Sequence, residues 1–220
     1  MAREYDLIHV HYHSIFVPLL KAVYDCPVIM HYHGSDVREN WGAHKRSEKA
    51  DEILVSTADL LRGAPDRVYW LPNPVDTELF SLMSWTENEN RDRMNLAVHF
   101  SKGADDEARE LANGFGLELT IFNQKFPHKE LPVILSQFEY FIDVQRDFKD
   151  RLLPVAGPSV GSKLSLEALS IGLKVIDRYG EVRDSLPIYH RPERVARALF
   201  RIYDNLFRSY RYGVTGWPQR

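Results

Sequence analysis

Short apolar runs alternate with stretches of helical pattern along most of the chain, and this alternation limits the fold more than any other feature. In the first part, apolar runs predict strands at residues 6–12, 27–33, 51–56 and 67–72. Helices or turns are predicted between them, at residues 14–25, 36–50 and 58–64. Because strands separated by helices form βαβ units, the sequence predicts an α/β fold with mainly parallel sheets.

The alternation resumes after a polar stretch. Residues 84–95 read SWTENENRDRMN, without an apolar period, and predict a linker; an exposed loop within one domain is the alternative. Further strands are predicted at 96–101, 117–123, 139–145 and 173–179, with helices at 104–116 and at 128–137, the second interrupted by Pro132. The sequence therefore predicts two α/β domains, at residues 1–83 and 96–190.

A C-terminal helix and tail, residues 191–220, follow the second domain and can cross back to the first. The apolar residues of this helix recur at helical spacing and form one stripe, which is predicted to pack on the body of the protein: Val195, Ala198, Leu199, Ile202, Leu206 and Phe207. The segment also has seven arginines against two acids, with interleaved aromatic residues. Such a surface can lie on an anionic bilayer, so peripheral contact with the inner membrane face is an alternative to simple packing.

Composition excludes several other classes. The net charge of -3 and pI of about 6.3 give no general attraction to nucleic acid, and no nucleic-acid partner is expected. Cys26 is the only cysteine, so an intramolecular disulfide is excluded. The absence of a long apolar run or signal-like stretch predicts a cytoplasmic protein.

Five of the nine histidines lie in two short motifs, HVHYH at residues 9–13 and HYH at residues 31–33. Alternate residues of a strand lie on the same face. One face of the first strand would therefore hold His9, His11 and His13, and one face of the second would hold His31 and His33. Same-face neighbours are about 7 Å apart, too far for three on one strand to bind one ion without a bend. No metal ligands are therefore predicted, and a histidine-based metalloprotein stays an alternative.

Four longer motifs occur in order along the chain: PVIMHYHGSD at 27–36, ADEILVSTADLL at 50–61, VYWLPNPVDTELF at 68–80 and GSKLSLEALSIGLKVI at 161–176. With them, from about residue 6 to about 205, the chain resembles retaining glycosyltransferases of family 4. The resemblance implies a GT-B-like fold of two Rossmann-like domains and a nucleotide-diphosphate sugar, a UDP- or GDP-sugar, as donor. No cofactor is expected, because the Asp-x-Asp motif of metal-using glycosyltransferases does not occur.

The donor site is predicted where a glycine-containing loop leads into a helix. Amides of Lys163, Leu164 and Ser165 and the positive helix end can hold a diphosphate, and Lys163 adds a full charge. In the family the match of Glu167 accepts ribose hydroxyls. The predicted donor-binding residues are Lys102, Gly161, Ser162, Lys163, Leu164, Ser165 and Glu167. An amphipathic helix with solvated Lys163 and Glu167 is the alternative.

Catalysis is assigned to His33 and Lys163. His33 ends a predicted strand, at the edge where open α/β sheets bind ligands. In the family the matching histidine lies beside the transferred sugar, although a purely structural histidine is an alternative. His11, Gly34 and Asp36 are assigned to the side of the acceptor, which is unknown and of glycan, lipid-linked or small-molecule type.

The sequence also departs from the family. Ser159 stands where the family has the first of two glutamates, and only Lys102 replaces an expected arginine and lysine pair. The first domain lacks the family's opening strands, so a partner chain or a second copy is expected to complete its sheet. These departures leave a second hypothesis, a catalytically degenerate or split glycosyltransferase-like protein that acts as a binding or partner subunit.

Overall fold

The computed structural model describes residues 5–34, 37, 41–81, 92–144 and 162–212. The chain divides into two compact units. The first comprises Met1–Asn73 together with Glu193–Arg220, and the second comprises Pro74–Pro192. Each unit has its own parallel or mainly parallel sheet, as the alternating pattern predicts.

The described part of the chain forms nine strands and five α-helices. The strands are β1 Ile8–His11, β2 Val28–Tyr32, β3 Glu52–Val55, β4 Val68–Trp70, β5 Leu96–Phe100, β6 Glu118–Phe122, β7 Tyr140–Asp143, β8 Lys174–Asp177 and β9 Val182–Arg183. The helices are α1 Val17–Val23, α2 Asp105–Gly114, α3 Leu131–Leu135, α4 Lys163–Ile171 and α5 Pro192–Tyr212. Short 3-10 helices lie at Ser14–Phe16, Trp41–Lys49, Ala58–Leu61, His128–Glu130 and Ile188–His190.

The first unit contains a parallel sheet in the order β1-β2-β3-β4. Alternate side chains along its strands enter two different cores, because successive residues of a strand face opposite sides. On one face, α1 and the 3-10 segments cover Val28, Met30 and Ile53. On the other face, α5 packs against Ile29 and Leu54.

The predicted stripe of α5 is the side of the helix that meets this sheet. Val195, Ala198, Leu199, Ile202 and Leu206 of the stripe join the core around Ile29 and Leu54. Phe207, the sixth predicted member, is instead covered by the guanidinium of Arg211, 5.5 Å from its ring centroid. The helix spans Pro192–Tyr212, within the predicted C-terminal segment 191–220.

The second unit contains a sheet in the order β6-β5-β7-β8-β9, parallel except for β9, which runs antiparallel to β8. On one face α2 buries Ala108 and Ala112 against β5, β7 and β8. On the other face α3 and α4 bury their apolar side chains against Val98 and Phe141. Both faces of the sheet are covered, which is typical of parallel sheets.

Three predictions of local structure are corrected. The boundary between the units lies at Asn73/Pro74 and not at residue 83, because Val75 and Phe80 are buried in the core of the second unit. Pro132 does not interrupt a helix; it lies in the first turn of α3, where its missing N–H is tolerated. The two-residue strand β9 was not predicted. Of the predicted linker, residues 84–91 lie outside the described residues.

β1 is an edge strand of the described sheet, and apolar side chains near it are exposed. They are Tyr12, Ile15, Phe16, Leu19 and Val23. A partner chain or second copy along this edge stays a prediction. None of the described helices combines the length and apolarity that a membrane crossing requires.

Candidate functional site

The chain order of the second sheet creates a crevice between β5 and β7. From β5 the chain moves outward to β6 on one side, and it then returns to β7 on the other side of β5. At such a switch point the loops after the two strands diverge, and ligands of open α/β sheets bind there at the carboxyl ends. The loop after β5 carries Lys102, and the end of β7 carries Asp143.

Helix α4 begins at this same edge of the second sheet. The Ser162 N–H donates to Oδ2 of Asp143, at 2.7 Å. Ser162 Oγ in turn accepts a hydrogen bond from the Ser165 N–H, at 3.2 Å, and so caps the helix. The amide of Ser165, predicted to bind a diphosphate, is therefore already used by the cap. Among the described residues the amides of Lys163 and Leu164 have no such partner and remain the candidates for an anion.

Glu167 is buried one turn into α4, with 2% of its surface exposed. Its Oε1 lies 2.9 Å from Nε2 of His128 and 3.6 Å from Nζ of Lys163. The alternative of a solvated glutamate is therefore wrong. A buried carboxylate needs such partners, because an unpaired buried charge is costly. His128 was missed by the sequence analysis, since it precedes Glu167 by 39 residues and no local pattern links the two.

The two predicted cations of the donor site remain accessible. Lys102 is exposed in the turn after β5, where Gly103 has a φ of 77° that favours glycine. The side chain of Lys163 is 60% exposed while its Nζ stays near Glu167. Ser162, Lys163, Leu164, Ser165 and Glu167 thus share one helix start. Gly161 and Ser159 lie outside the described residues.

The cap of α4 gives a testable prediction. We expect Ser162→Ala to destabilise α4 by about 1 kcal/mol, because the Ser165 N–H loses its side-chain acceptor. Amide hydrogen exchange in α4 measures the effect. Ser136→Ala is the matched control, since among the described residues the Ser136 hydroxyl makes a single, exposed hydrogen bond, to the Val133 carbonyl of α3. Equal protection of α4 in the two variants would show that the cap contributes nothing.

Four histidines of the first unit lie together on the sheet face that α5 covers. Strand β1 pairs with β2 so that His11 is opposite His31. His9 and His33 flank this pair along their own strands, on the same face. Their rings stack on one another, most closely His9 with His11 and His31 with His33, each pair with centroids 4.4 Å apart. We call His9, His11, His31 and His33 the histidine array.

His13 does not join the array, contrary to the prediction. β1 ends at His11, and Tyr12 adopts a φ of 67°, in the left-handed region that a bulky residue rarely occupies. This turn directs the chain into the next 3-10 helix, and His13 is exposed beside Phe16. Gly34, assigned to the acceptor side, has a φ of 143° that suits glycine alone. Asp36 lies outside the described residues.

Hydrogen bonds connect the array to two residues that the sequence analysis missed. Nδ1 of His9 bonds to the hydroxyl of Tyr203 on α5, at 2.7 Å. The Oγ of Ser56, just after β3, lies 3.1 Å from Nε2 of His31 and 2.7 Å from Nδ1 of His33. Nε2 of His33 continues the series to Nδ1 of His11, at 2.8 Å. His33 is therefore held at both ring nitrogens.

Burial keeps two members of the array neutral. Burial, and then the neighbouring His11 and His33, lowers the pKa of His9 to about 4. Burial, and then the charges of the other three rings, lowers the pKa of His31 to about 2. Both imidazoles therefore keep a lone pair at neutral pH and can accept a proton or bind a metal ion.

Comparisons with known proteins do not assign the chain. No protein-family model matches it, and no curated protein matches it significantly. The resemblance to family 4 glycosyltransferases therefore stays a prediction that rests on the motifs and on the site described above.

Proposed function

We propose that the chain is a retaining, metal-independent glycosyltransferase of GT-B type, with a UDP- or GDP-sugar as donor. The observation that supports this most is Glu167, a buried carboxylate at the start of α4 with Lys163 beside it. A carboxylate can accept two hydroxyl groups of a ribose, and the adjoining amides and lysines suit its diphosphate. The helix begins at the switch point of the sheet, the common ligand edge of such folds.

In this proposal the residues near α4 bind the donor and stabilise the departing diphosphate. Lys163, Lys102 and the amides of Lys163 and Leu164 offset the negative charge that develops as the bond to the sugar breaks. Asp143 is a carboxylate at the same helix start, so the diphosphate has to bind beyond its reach. We therefore assign the anion to the second and third amides of the helix start and not to that of Ser162.

His33 is assigned to the reacting sugar, with His11 and Gly34 on the acceptor side. Ser56 fixes the orientation of the His33 ring through Nδ1, at 2.7 Å, which directs Nε2 away from the sheet core toward His11. To donate a hydrogen bond to a sugar hydroxyl through Nε2, His33 has to exchange its bond to Nδ1 of His11 for one to the substrate. The acceptor is assigned only as a hydroxyl compound of glycan, lipid-linked or small-molecule class.

A thermal-shift panel of nucleotide sugars tests the proposal. A donor at tenfold excess over its Kd adds about 1.4 kcal/mol, a rise in melting temperature of about 3–5 °C. We expect Glu167→Gln to remove the rise, because the amide cannot accept two hydroxyl groups as the carboxylate does. Glu130→Gln, at an exposed glutamate next to His128, is the matched control and should keep it. No shift with any nucleotide sugar would contradict the proposal.

The second hypothesis is a binding or partner subunit without transfer. Ser159 in place of the family's glutamate favours it, because a carboxylate on the transferred sugar would be missing. Both hypotheses predict the thermal shift, so the shift alone does not separate them. The two hypotheses are separated by measuring the release of UDP or GDP from the donor that raises the melting temperature, with and without candidate acceptors. Release requires a transferase, and its absence favours the binding subunit.

A further inference from the structure

The histidine array has the composition of a transition-metal site. His9, His11 and His31 each offer a ring nitrogen, and these three nitrogens lie within 4.8 Å of one another. The same-strand spacing of about 7 Å counts against a metal where one strand supplies all three histidines. In the structure two come from β1 and the third from β2, where His31 lies opposite His11. The rings of His9 and His11 also stack, with centroids 4.4 Å apart, although their positions on the strand keep the same spacing.

Two rings of the trio each have a buried nitrogen without a hydrogen-bond partner among the described residues. Nε2 of His9 and Nδ1 of His31 have no partner among the described residues, and His31 is only 6% exposed. Leaving a buried polar atom unsatisfied costs about 1–3 kcal/mol, and an ion is one of the few things that explain it. Both atoms lie on rings of the trio, so one ion bound through them would satisfy both.

The opposite nitrogens of the same rings already have the partners that metal-bound histidines use. Ligand imidazoles almost always bond through their second nitrogen to a carboxylate, carbonyl or similar group that fixes the ring. Here Tyr203 holds Nδ1 of His9, and Ser56 holds Nε2 of His31. The rings are therefore held at those nitrogens, and the other nitrogen of each ring is left for the ion.

We propose that His9, His11 and His31 bind a divalent transition-metal ion of the zinc type. Three neutral imidazoles leave the ion's charge at +2, and they suit zinc, which often has three histidine ligands and an open fourth position. Bonds of about 2.0–2.1 Å in a tetrahedral site put ligand nitrogens about 3.4 Å apart, so the widest pair has to close by at most about 1.4 Å. His11, which is exposed, is the ring with room to move.

The hydrogen bonds also specify which nitrogen of His11 binds. When Nδ1 of His31 carries a lone pair, its Nε2–H donates to Ser56, and Ser56 donates to His33. His33 then donates from Nε2 to Nδ1 of His11, which leaves the proton of His11 on Nε2. The ion therefore binds Nδ1 of His11 and replaces the bond from His33. This inference does not rest on the proposed glycosyltransferase activity.

Zinc binding to the full chain, prepared without a histidine tag and stripped with a chelator, tests the site. Titration with zinc chloride, followed by dialysis and metal analysis, should give one zinc per chain. His9→Asn keeps a hydrogen-bond donor to Tyr203, and His31→Gln keeps one to Ser56. Each variant lacks the second ring nitrogen that would bind the ion. We expect either change to weaken zinc binding by at least about 100-fold, more than loss of an outer partner does. His13→Asn, at the exposed histidine outside the array, should leave it unchanged.

Two further measurements keep the result decisive if a ligand variant unfolds. Tyr203→Phe removes only the outer partner of His9 and should weaken binding by about 10–100-fold. Cobalt(II) in place of zinc should give the intense visible bands of a four-coordinate site in the unaltered chain. No zinc bound to that chain, or equal binding by the His9 and His31 variants, would overturn the proposal. The nucleotide-sugar test is run with chelator present, so either proposal can fail alone.

Discussion

Replacing Phe80 with alanine is expected to lower the free energy of unfolding of the second unit by about 3–5 kcal/mol. Phe80 is fully buried in the core that α3 and α4 form on one face of the sheet. Its ring also lies against His128, with centroids 5.0 Å apart, and His128 bonds to Glu167. The cavity would thus remove a packing support of the candidate donor site as well as apolar contact.

Amide hydrogen exchange in β7 and α4 measures this loss within the second unit. Tryptophan fluorescence is less suitable, because the two tryptophans among the described residues, Trp41 and Trp70, both belong to the first unit. Phe200→Ala is the matched control, since that ring on α5 is 70% exposed and its loss should change stability by less than about 0.5 kcal/mol. A Phe80 variant as stable as the Phe200 variant would mean that the core around Phe80 is not formed as described.

The position of Phe80 also shows where the sequence misplaced a boundary. The linker was predicted at residues 84–95 because that stretch is polar. A polar composition indicates that a segment is exposed to solvent, but it does not show which core the residues beside it join. Val75 and Phe80 are isolated apolar residues among turn-forming and polar ones. No helical or strand periodicity of the sequence assigns them to either unit. Only their burial against β5, β7 and α4 assigns them to the second unit.

The strands, in contrast, were predictable nearly to the residue. Val98, Ile142 and Ile176 lie in short apolar runs that are buried on both faces, and such runs between helical patterns can form little else than central parallel strands. The missed strand β9 has only two residues and a half-exposed valine, so its sequence carries no apolar run. Its pairing is set by the turn after β8, where the Asp177 N–H donates to the Glu181 carbonyl, at 3.0 Å.

The site could be predicted only as far as local spacing reaches. The period of two placed His9 with His11 and His31 with His33, and the helix-start pattern placed Lys163 and Glu167. The register between β1 and β2, which brings the two pairs together, depends on pairing that no single strand encodes. Ser56, Tyr203 and His128 each reach their partners across more than 20 residues of chain.

Acid is expected to destabilise the first unit through the histidine array. The pKa of His9 is lowered to about 4 and that of His31 to about 2, chiefly by burial, whereas an unfolded histidine has a pKa of about 6.5. Below about pH 6.5 the unfolded chain therefore binds protons that the folded chain does not, so the stability of the first unit falls as the pH is lowered. The loss continues until pH reaches the folded pKa of each group. At pH 5.5 we expect the two groups to cost about 2–3 kcal/mol together, relative to pH 7.5.

Urea unfolding at the two pH values, with chelator present and followed by tryptophan fluorescence, measures this loss. Trp70 is a suitable probe because its Nε1–H donates to the Ser56 carbonyl beside the array, at 3.3 Å. His31→Gln keeps a donor to Ser56 but cannot be protonated, so its stability should fall by about 1.4 kcal/mol less between the two pH values. His13→Asn should fall as much as the unaltered chain, because His13 is exposed. Equal losses of stability for His31→Gln and His13→Asn would mean that burial does not lower the pKa of His31.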